Sequence, residues 1–283
     1  MKKEEFEKAL IEFARNASGN FVAKEAALRS DLAGVRIFDD PIFGYASAED
    51  PYFTEVKKPG IIGPHFMTPS EWLSGAKTVV AVFFPFTAKL RESNRLNMTW
   101  PAEEWLHGRI DGQAFQGGFC RFAAELLGKE GFPAMAPSLD PRFSGVSPLV
   151  RDKTEQAFYT SNWSERHAAY AAGLGTFGLS KGLISRKGVA GRYSSIITCL
   201  AFEPDKRPYK GIYDYCNNCG ACIRNCPAKA ISAENGKLHY PCSEFLDSVK
   251  AKHAPYYGCG KCQVKVPCED RAPGECNNVV SAV

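Results

Sequence analysis

The chain has 283 residues, 45% of them hydrophobic and 12% aromatic, which is enough for a sizeable core in one large domain or two ordinary ones. Its 35 Lys and Arg against 31 Asp and Glu leave a formal charge of +4, too small to indicate a nucleic-acid partner by charge alone. No apolar stretch approaches the roughly 20 residues that cross a bilayer, and the N-terminal segment mixes acids and bases, unlike an export signal. We therefore expect a globular, cytoplasmic protein without a membrane anchor.

The first helix and the loop after it are predicted from hydrophobic spacing and proline content. Within the opening segment MKKEEFEKALIEFAR, one face of a helix collects Phe6, Leu10, Phe13 and Ala14. This pattern is typical of an amphipathic structural helix. Prolines then interrupt residues 30–70 repeatedly, so this segment is predicted to be an ordered loop over the core.

A central strand and a long helix come next. Residues 77–84, KTVVAVFF, contain consecutive apolar residues without polar alternation. This pattern indicates a strand covered by helices on both faces. A helix is predicted over residues 102–128, because Phe115, Phe119 and further apolar residues recur at helical spacing until glycines and a proline end the pattern. Another strand is expected near Ala134.

A short helix, a glycine-rich segment and a strand precede the cysteines. Ser164 can cap a helix that runs to Ala172, and Gly173 supplies a left-handed stop. The string GLGTFG of residues 173–178 follows a helix, whereas a dinucleotide fingerprint follows a strand. We therefore expect its glycines to approach a bulky ligand or a packed neighbour. Residues 193–202 are predicted to form a strand.

This order of elements predicts an α/β or α+β protein with two domains. Residues 1–205 form the larger domain. A polar, proline-containing stretch then leads into a small cysteine-rich domain of residues 206–283.

The small domain carries the most specific motif of the chain. Its first four cysteines precede Pro227 in the spacing C-x-x-C-x-x-C-x-x-x-C-P, by which a loop folds its thiolates around a [4Fe–4S] cluster. Five more cysteines follow, the first four of which complete the eight thiolates that two such clusters need. The candidate ligands are Cys216, Cys219, Cys222, Cys226, Cys242, Cys259, Cys262 and Cys268.

We expect these ligands to interleave, because the cysteine before the proline in this motif serves the neighbouring cluster. One cluster then takes Cys216, Cys219, Cys222 and Cys268, and the other takes Cys226, Cys242, Cys259 and Cys262. The spacing before Cys268 departs from the motif, since Pro267 precedes this cysteine instead of following it. Cys276 is therefore an alternative ligand for the first cluster.

Zinc and disulfides are the other interpretations of these cysteines. Two pairs of cysteines can hold one tetrahedral zinc ion. Three cysteines at two-residue intervals with a terminal Cys-Pro favour iron–sulfur clusters instead. Disulfides belong to oxidising compartments, and the N-terminal segment does not predict export.

The order of these motifs resembles that of the epoxyqueuosine reductases and the related reductive dehalogenases. The resemblance spans roughly residues 75–270 and rests on RHAAYAAGLGTFG, CNNCGACIRNCPAKAI, a single Cys242 and YYGCGKCQ. It implies a nitroreductase-like domain that binds a corrinoid, followed by a ferredoxin-like domain whose two [4Fe–4S] clusters deliver electrons to cobalt. It also implies a short member of this superfamily, because few residues remain after Cys268 for the C-terminal helical repeat of the epoxyqueuosine reductases.

The resemblance further implies residues for the cofactor and for proton transfer. The candidate corrinoid contacts are Gly173, Gly175, Thr176, Phe177, Gly178, Ser194 and Ser195. Epoxyqueuosine reductases carry an aspartate ahead of a Glu-Arg pair, here Glu165 and Arg166, and Tyr159 stands at its position. A tyrosine is the expected proton donor of reductive dehalogenases, and a phenol with a pKa near 10 can protonate a carbanion-like intermediate. Tyr159 is therefore the candidate catalytic acid, with aromatic packing as its alternative role.

These features predict a cobalamin-dependent oxidoreductase that passes electrons through two [4Fe–4S] clusters to a corrinoid and reduces a small organic molecule. We expect a reduced ferredoxin or flavodoxin as electron donor and no nucleic-acid partner. One alternative is an electron-transfer protein without a corrinoid. A second alternative is tRNA modification, for which the basic residues are Arg186, Lys187, Arg192, Lys206, Arg207 and Lys210.

Overall fold

The computed structural model describes residues 1–144 and 160–273. Its helices are α1 (Lys3–Asn16), α2 (Pro51–Glu55), α3 (Pro69–Trp72), α4 (Ala88–Leu96), α5 (Glu103–Lys129), α6 (Glu165–Ala171), α7 (Ala221–Arg224) and α8 (His239–His253). Its strands are β1 (Ile42–Ser47), β2 (Thr78–Pro85), β3 (Ala134–Met135), β4 (Gly175–Phe177), β5 (Leu183–Ser185), β6 (Gly191–Thr198), β7 (Ile231–Ser232) and β8 (Gly236–Lys237). Across these two ranges, no helix combines the length and the apolar character needed to cross a lipid bilayer.

A four-stranded antiparallel sheet forms the centre of the fold, with its strands in the order β1, β2, β6, β3. Strand β2 lies inside this sheet and is buried at all 8 of its residues, as its apolar sequence predicts. Strand β6 begins and ends earlier than the predicted 193–202. It stops at Thr198 because the Thr198 hydroxyl accepts a hydrogen bond from the backbone N–H of Leu200 and turns the chain out of the sheet.

Both faces of the sheet are covered, which explains why β2 is apolar at successive positions. Val80 and Val82 pack on one face against α1 and α5. Val79 and Ala81 pack on the opposite face against α6. The combination of covering helices with an antiparallel sheet confirms the mixed helix and strand class that the sequence predicts.

Aromatic rings join α1, α5 and the sheet. The buried residues of α1 are Phe6, Leu10 and Ala14, as predicted. The Phe13 ring, on the edge of the same face, stacks on Phe122 of α5 with 4.4 Å between ring centroids. On α5, the Phe119 ring is fully buried and meets Phe84 of β2 edge-on, with 4.8 Å between centroids. Helix α5 therefore packs against α1 on one side and against β2 on another.

Phe119→Ala is expected to lower the free energy of unfolding by about 3–5 kcal/mol, because the truncated ring leaves a cavity between α1, α5 and β2. Denaturant titration of anaerobic protein measures the change. Leu96→Ala is the control, since Leu96 is 87% exposed and its truncation should change the free energy by less than about 0.5 kcal/mol. Equal losses in the two variants would show that this aromatic layer is not part of the stabilising core.

Helix α6 and the hairpin after it connect the sheet to the cysteine-rich segment. The helix begins at its predicted cap, where the Ser164 hydroxyl accepts from the backbone N–H of His167. It ends before Gly173, whose φ of +78° is left-handed. Strands β4 and β5 form a hairpin, and the backbone N–H of Tyr215 donates to Thr176 Oγ1 on β4 over 2.8 Å. The cysteine-rich segment thus starts against this hairpin.

Candidate redox site

The first set of four thiols borders one small cavity. Its members are Cys216, Cys219, Cys222 and Cys268, and the turn between β4 and β5 closes the cavity on one side. Burial raises the pKa of the Cys268 thiol to about 12, with smaller contributions from the Cys216, Cys222 and Cys219 thiols. Cys268 therefore lies with the first three cysteines of the motif, where the interleaved hypothesis puts it.

Two residues with a left-handed backbone conformation bend the chain around this cavity. Asn218 has a φ of +52° and Gly220 a φ of +69°, values that asparagine and glycine adopt more readily than other residues. They turn the chain sharply between Cys216 and the start of α7, and the first turn of this helix carries Cys222. Cys219 at the tip of the loop is exposed, which brings the first set to the protein surface.

The second set consists of Cys226, Cys242, Cys259 and Cys262. Burial raises the pKa of the Cys262 thiol. The neighbouring Cys242 and Cys226 thiols raise this pKa further, whereas the positive charge of Lys237 lowers it. Burial also raises the pKa of Cys259 to about 12, with the Cys262 and Cys242 thiols contributing. The Cys222 thiol of the first set interacts electrostatically with Cys262. The two sets are therefore neighbours, as an electron relay requires.

The donor set fits iron–sulfur clusters. Within the described ranges, no three His, Cys, Asp or Glu side chains converge closely enough to share a single metal ion. A [4Fe–4S] cluster does not require its ligands to converge on one ion, because each of its four thiolates binds a different iron atom. Four cysteines around one cavity are the arrangement that a cubane needs.

A buried lysine anchors the loop of the second set to α4. Lys261 stands between Cys259 and Cys262 and is fully buried. Its Nζ donates to the main-chain oxygen of Asn94 over 2.7 Å and to the Asn94 side-chain oxygen. Asn94 Nδ2 in turn donates to the Cys259 carbonyl over 3.0 Å. These bonds satisfy a charge that would be costly to bury alone, and they fix the loop.

An ion-pair cluster anchors the first set to the same helix. Glu269 follows Cys268 and is almost fully buried. Its carboxylate accepts from Arg95 Nε over 3.0 Å, from Arg91 over 3.3 Å and from the backbone N–H of Lys265 over 2.8 Å. Helix α4 therefore positions the last cysteine of each set. Sequence spacing gave no signal for the contacts of Asn94 with Lys261 or of Glu269 with Arg91 and Arg95, since these partners lie more than a hundred residues apart along the chain.

Guanidinium and amide side chains gather near the second set, where Arg192 interacts electrostatically with Arg109 and Arg166. This group, named the arginine cleft, consists of Arg109, Gln113, Gln116, Arg166 and Arg192. Arg192 Nε donates to Gln116 Oε1 over 2.7 Å, and a second nitrogen of its guanidinium donates to Gln113. Arg109 donates to the Tyr257 hydroxyl over 2.8 Å.

Arg166 links the arginine cleft to the thiols. Its side chain is exposed, and desolvation by the protein around it lowers its pKa. It donates to the Lys181 carbonyl over 3.0 Å and interacts electrostatically with Cys262. The cleft therefore reaches the second set.

A buried carboxyl group lies beside this cleft. Glu165 Oε2 accepts from the Ser195 hydroxyl over 2.6 Å, and Ser195 Oγ also accepts from the Trp163 ring N–H over 2.9 Å. Glu165 Oε1 is buried and has no hydrogen-bond partner. Burial raises the pKa of Glu165 to about 7, against the opposing effect of the Ser195 hydrogen bond.

Glu165→Gln is expected to remove part of the pH dependence of stability. The folded pKa of about 7 lies above the ordinary value of 4.5, so the folded state binds this proton more tightly than the unfolded state. The wild-type protein should therefore lose stability as pH rises from about 5 to about 8, by roughly 2–3 kcal/mol relative to the variant. Denaturant titrations of both proteins at the two pH values measure the difference. An identical pH response of the two proteins would contradict the assignment.

The residues predicted to contact a corrinoid have partners within the protein. Thr176 bonds to the cysteine-rich segment, Ser194 accepts from Gln116 over 2.9 Å, and Ser195 donates to Glu165. Gly175 pairs within the β4–β5 hairpin, where an added Cβ would overlap the Ile184 carbonyl. Of the others, Gly173 is half-buried, and Phe177 and Gly178 are buried. Their contact with a corrinoid stays a prediction.

Several other predicted residues lie apart from this site or outside the described ranges. Tyr159 and Cys276 fall outside residues 1–144 and 160–273, so their roles stay predictions. Among the basic residues considered for tRNA, Arg207 forms an ion pair with Asp50. Arg192, by contrast, lies in the arginine cleft.

Comparison with known proteins supports the metal chemistry. The family model of the 4Fe-4S binding domain matches residues 209–232, which hold the first cysteine motif. The prediction of [4Fe–4S] clusters is therefore confirmed.

Three proteins illustrate the relationships of the chain. The trichloroethene reductive dehalogenase of Dehalococcoides mccartyi is 31% identical over 78 residues, 28% of this chain and 14% of the relative. The epoxyqueuosine reductase of Staphylococcus aureus is 28% identical over 159 residues, 52% of this chain and 40% of the relative. The crystal structure of an epoxyqueuosine reductase with a tRNA-Tyr epoxyqueuosine-modified stem loop has 18% identity and a TM-score of 0.52, covering 94% of this chain and 66% of that chain. The matches span less than half the length of the two curated relatives.

These relationships correct the expected partners. A protein of the same fold is bound to a tRNA stem loop, and a sequence relative is an epoxyqueuosine reductase. The expectation of a small-molecule substrate without a nucleic-acid partner is therefore wrong. It relied on the few residues that follow Cys268, where epoxyqueuosine reductases carry a helical repeat, and on the net charge of the whole chain, which averages out a local group of cations such as the arginine cleft. The chain is therefore similar in sequence to an epoxyqueuosine reductase over about half of its length and to a reductive dehalogenase over a shorter stretch, and it shares the fold of the epoxyqueuosine reductases.

Proposed function

We propose that this chain is an iron–sulfur reductase that removes the epoxide oxygen of a modified nucleoside in tRNA, using two [4Fe–4S] clusters and a corrinoid. The observation that carries the proposal is the arginine cleft beside the second thiol set. It joins a redox centre to a cationic surface that suits a polyanionic substrate. The similarity to an epoxyqueuosine reductase in sequence, and to a tRNA-bound one in fold, supports the substrate class.

The two thiol sets suggest a direction for electron flow. Cys219 of the first set is exposed, so a cluster there is accessible to an external reductant. The second set borders the arginine cleft through Arg166 and Cys262. Electrons would therefore enter at the first cluster and leave from the second, toward the substrate side.

A corrinoid, when bound, supplies the low-potential metal that transfers electrons to an organic substrate. The arginine cleft suits such a cofactor, because it borders the second thiol set and its guanidinium and amide groups can orient polar substituents. Arg109, Arg166, Arg192 and Tyr257 are the residues that would hold it. The protein would orient the cofactor there and limit the access of water.

The proposed reaction needs protons as well as electrons. Converting an epoxide to an alkene consumes two electrons and two protons and releases the oxygen as water. Tyr159 is the proposed donor of one proton, since a neutral phenol can act as a general acid near neutral pH. The second proton would come from solvent.

The test is a turnover experiment under strict exclusion of oxygen. Protein with reconstituted clusters, cobalamin and a chemical reductant is mixed with a tRNA stem loop that carries epoxyqueuosine, and the nucleoside is analysed by mass spectrometry. The proposal expects the loss of one oxygen atom from the nucleoside, and no loss with Cys222→Ser protein. Full cluster and corrinoid occupancy without any oxygen loss would contradict it.

A second candidate function is electron transfer without a corrinoid. It is favoured by the internal partners of Thr176, Ser194 and Ser195, because these predicted contacts already form hydrogen bonds within the protein. The same preparation separates the two functions. One corrinoid bound per chain supports the reductase, whereas intact clusters without affinity for a corrinoid support the second candidate.

A further inference from the structure

A buried cation stands between two ligands of the second set. Lys261 is fully buried, and its Nζ donates to two oxygens of Asn94, both of which are neutral. The Cys259 thiol accepts a hydrogen bond from the backbone N–H of Lys261 and interacts electrostatically with its ammonium group. Lys265, by contrast, repels this ammonium group. The negative charge that attracts Lys261 is therefore that of a cluster ligand.

The charged groups beside the first set are paired or exposed. The carboxylate of Glu269 is shared between Arg91 and Arg95, which balances the charges there. Arg224 donates to a backbone carbonyl, but its side chain is exposed, so water and salt screen its charge. The ammonium group of Lys261 is shielded from water, where a charge acts more strongly on its neighbours. The two thiol sets therefore lie in different electrostatic environments.

This difference bears on the reduction of a cluster. An added electron makes a cluster and its four thiolates more negative, so the reduction potential depends on the surrounding charge and on exposure to solvent. Cys219 of the first set is exposed, whereas all four thiols of the second set are partly buried. Burial alone would disfavour the added negative charge at the second set. The buried ammonium group beside Cys259 opposes this effect.

We propose that the charge of Lys261 raises the reduction potential of a cluster on the second set above that of a cluster on the first, an inference that rests on the electron path of the proposed function. Lys261 is a positioning residue, because it acts through the cluster. The exchange moves one electron from the first cluster to the second, so the first is oxidised as the second is reduced. It needs no proton and no reactant beyond the external one-electron reductant of the proposed function.

The experiment follows the first electron by electron paramagnetic resonance while anaerobic protein is titrated with a chemical reductant. Lys261→Met removes the charge and the side-chain hydrogen bonds, whereas Lys261→Gln removes the charge and keeps an N–H donor. Both variants retain the backbone N–H that bonds to Cys259. Lys261→Arg retains the charge, and Lys265→Met removes the same charge from an exposed position. Cys222→Ser protein, in which the second set is intact, identifies the signal of the second cluster.

The first electron is expected mainly on the second cluster of the wild-type protein. Lys261→Met and Lys261→Gln should each shift the ratio of reduced second to reduced first cluster by about tenfold or more, which for one electron corresponds to about 59 mV. Lys261→Arg should retain most of the wild-type ratio, and Lys265→Met should match it. A first electron on the first cluster of the wild-type protein would overturn the inference. So would an unchanged ratio in both neutral variants, or a shift in Lys261→Met alone, which would assign the effect to hydrogen bonding.

Asn94→Asp provides a second test, which applies even where a neutral residue at position 261 does not hold the loop. Its carboxylate lies against the ammonium group and offsets the positive charge while Lys261 stays in place. The ratio should therefore shift in the same direction as in the neutral variants. An unchanged ratio in this variant would contradict the inference.

These measurements use neither tRNA nor a corrinoid, which separates this inference from the proposed function. A ratio that depends on the charge at position 261, in protein that removes no oxygen from the modified nucleoside, retains this inference and contradicts the proposed function. Oxygen loss in protein whose ratio does not depend on that charge retains the proposed function and contradicts this inference.

Discussion

Cys268→Ser is expected to lower the iron content from about eight to about four atoms per chain, whereas Cys276→Ser is expected to leave it unchanged. The Cys268 thiol shares a cavity with the first three cysteines of the motif, and a serine hydroxyl is a much poorer ligand for iron. Because the cysteine-rich segment has a small apolar core, loss of the first cluster should also unfold part of it. Iron and acid-labile sulfide in anaerobic protein, with electron paramagnetic resonance of the reduced form, measure the outcome.

Cys199→Ser is the matched control for this pair. Cys199 belongs to neither thiol set, and its Sγ donates weakly to the Ser74 carbonyl over 3.6 Å, so the replacement should preserve both clusters. Loss of half the iron in Cys276→Ser, with full iron in Cys268→Ser, would reverse the assignment of the first cluster.

Gly260→Ala is expected to remove the second cluster without affecting the first. Gly260 has a φ of +68°, and a Cβ at this position would overlap the indole ring of Trp105. That ring cannot move aside easily, because it is 4% exposed and packs on Phe86 with 4.7 Å between centroids. The left-handed backbone alone costs an alanine about 1–2 kcal/mol. The loop should therefore leave α5 and carry Cys259 and Cys262 out of position.

Gly118→Ala provides the matched control on α5. An added Cβ at Gly118 meets nothing within 4 Å, so this change should retain both clusters and stabilise the helix by about 0.5–1 kcal/mol. Iron content and the resonance spectrum of the reduced protein distinguish the two variants. A Gly260→Ala protein with both clusters at wild-type levels would show that contact with Trp105 does not position the second loop.

Local spacing accounts for the parts of the fold that the sequence predicted. The buried strand β2 followed from an unbroken apolar run, and the start of α6 followed from Ser164 as its cap. The cluster motif is also local, since Cys216, Cys219 and Cys222 must fold around one cavity from a single loop. In each case the physical cause acts over fewer than about ten residues, which a pattern in the sequence can capture.

Long-range contacts account for what the sequence did not predict. Lys261 looks like an ordinary charged residue between two cysteines until Asn94 supplies its hydrogen bonds. The arginine cleft depends on α5 and β6 meeting at Gln116 and Arg192. No periodicity or spacing within one element predicts such a pairing. The same limitation contributed to the error about nucleic acid, because neither a weak net charge nor the lack of a helical repeat carries information about where the cations gather.

Elemental analysis of protein purified under strict exclusion of oxygen tests the central claim most directly. Paired clusters predict about eight iron and eight sulfide per chain, with a brown chromophore that bleaches on reduction and a resonance spectrum split by interaction between the two neighbouring centres. Colourless protein that contains zinc at the cysteines and neither iron nor sulfide would contradict the electron relay and the reductase built on it.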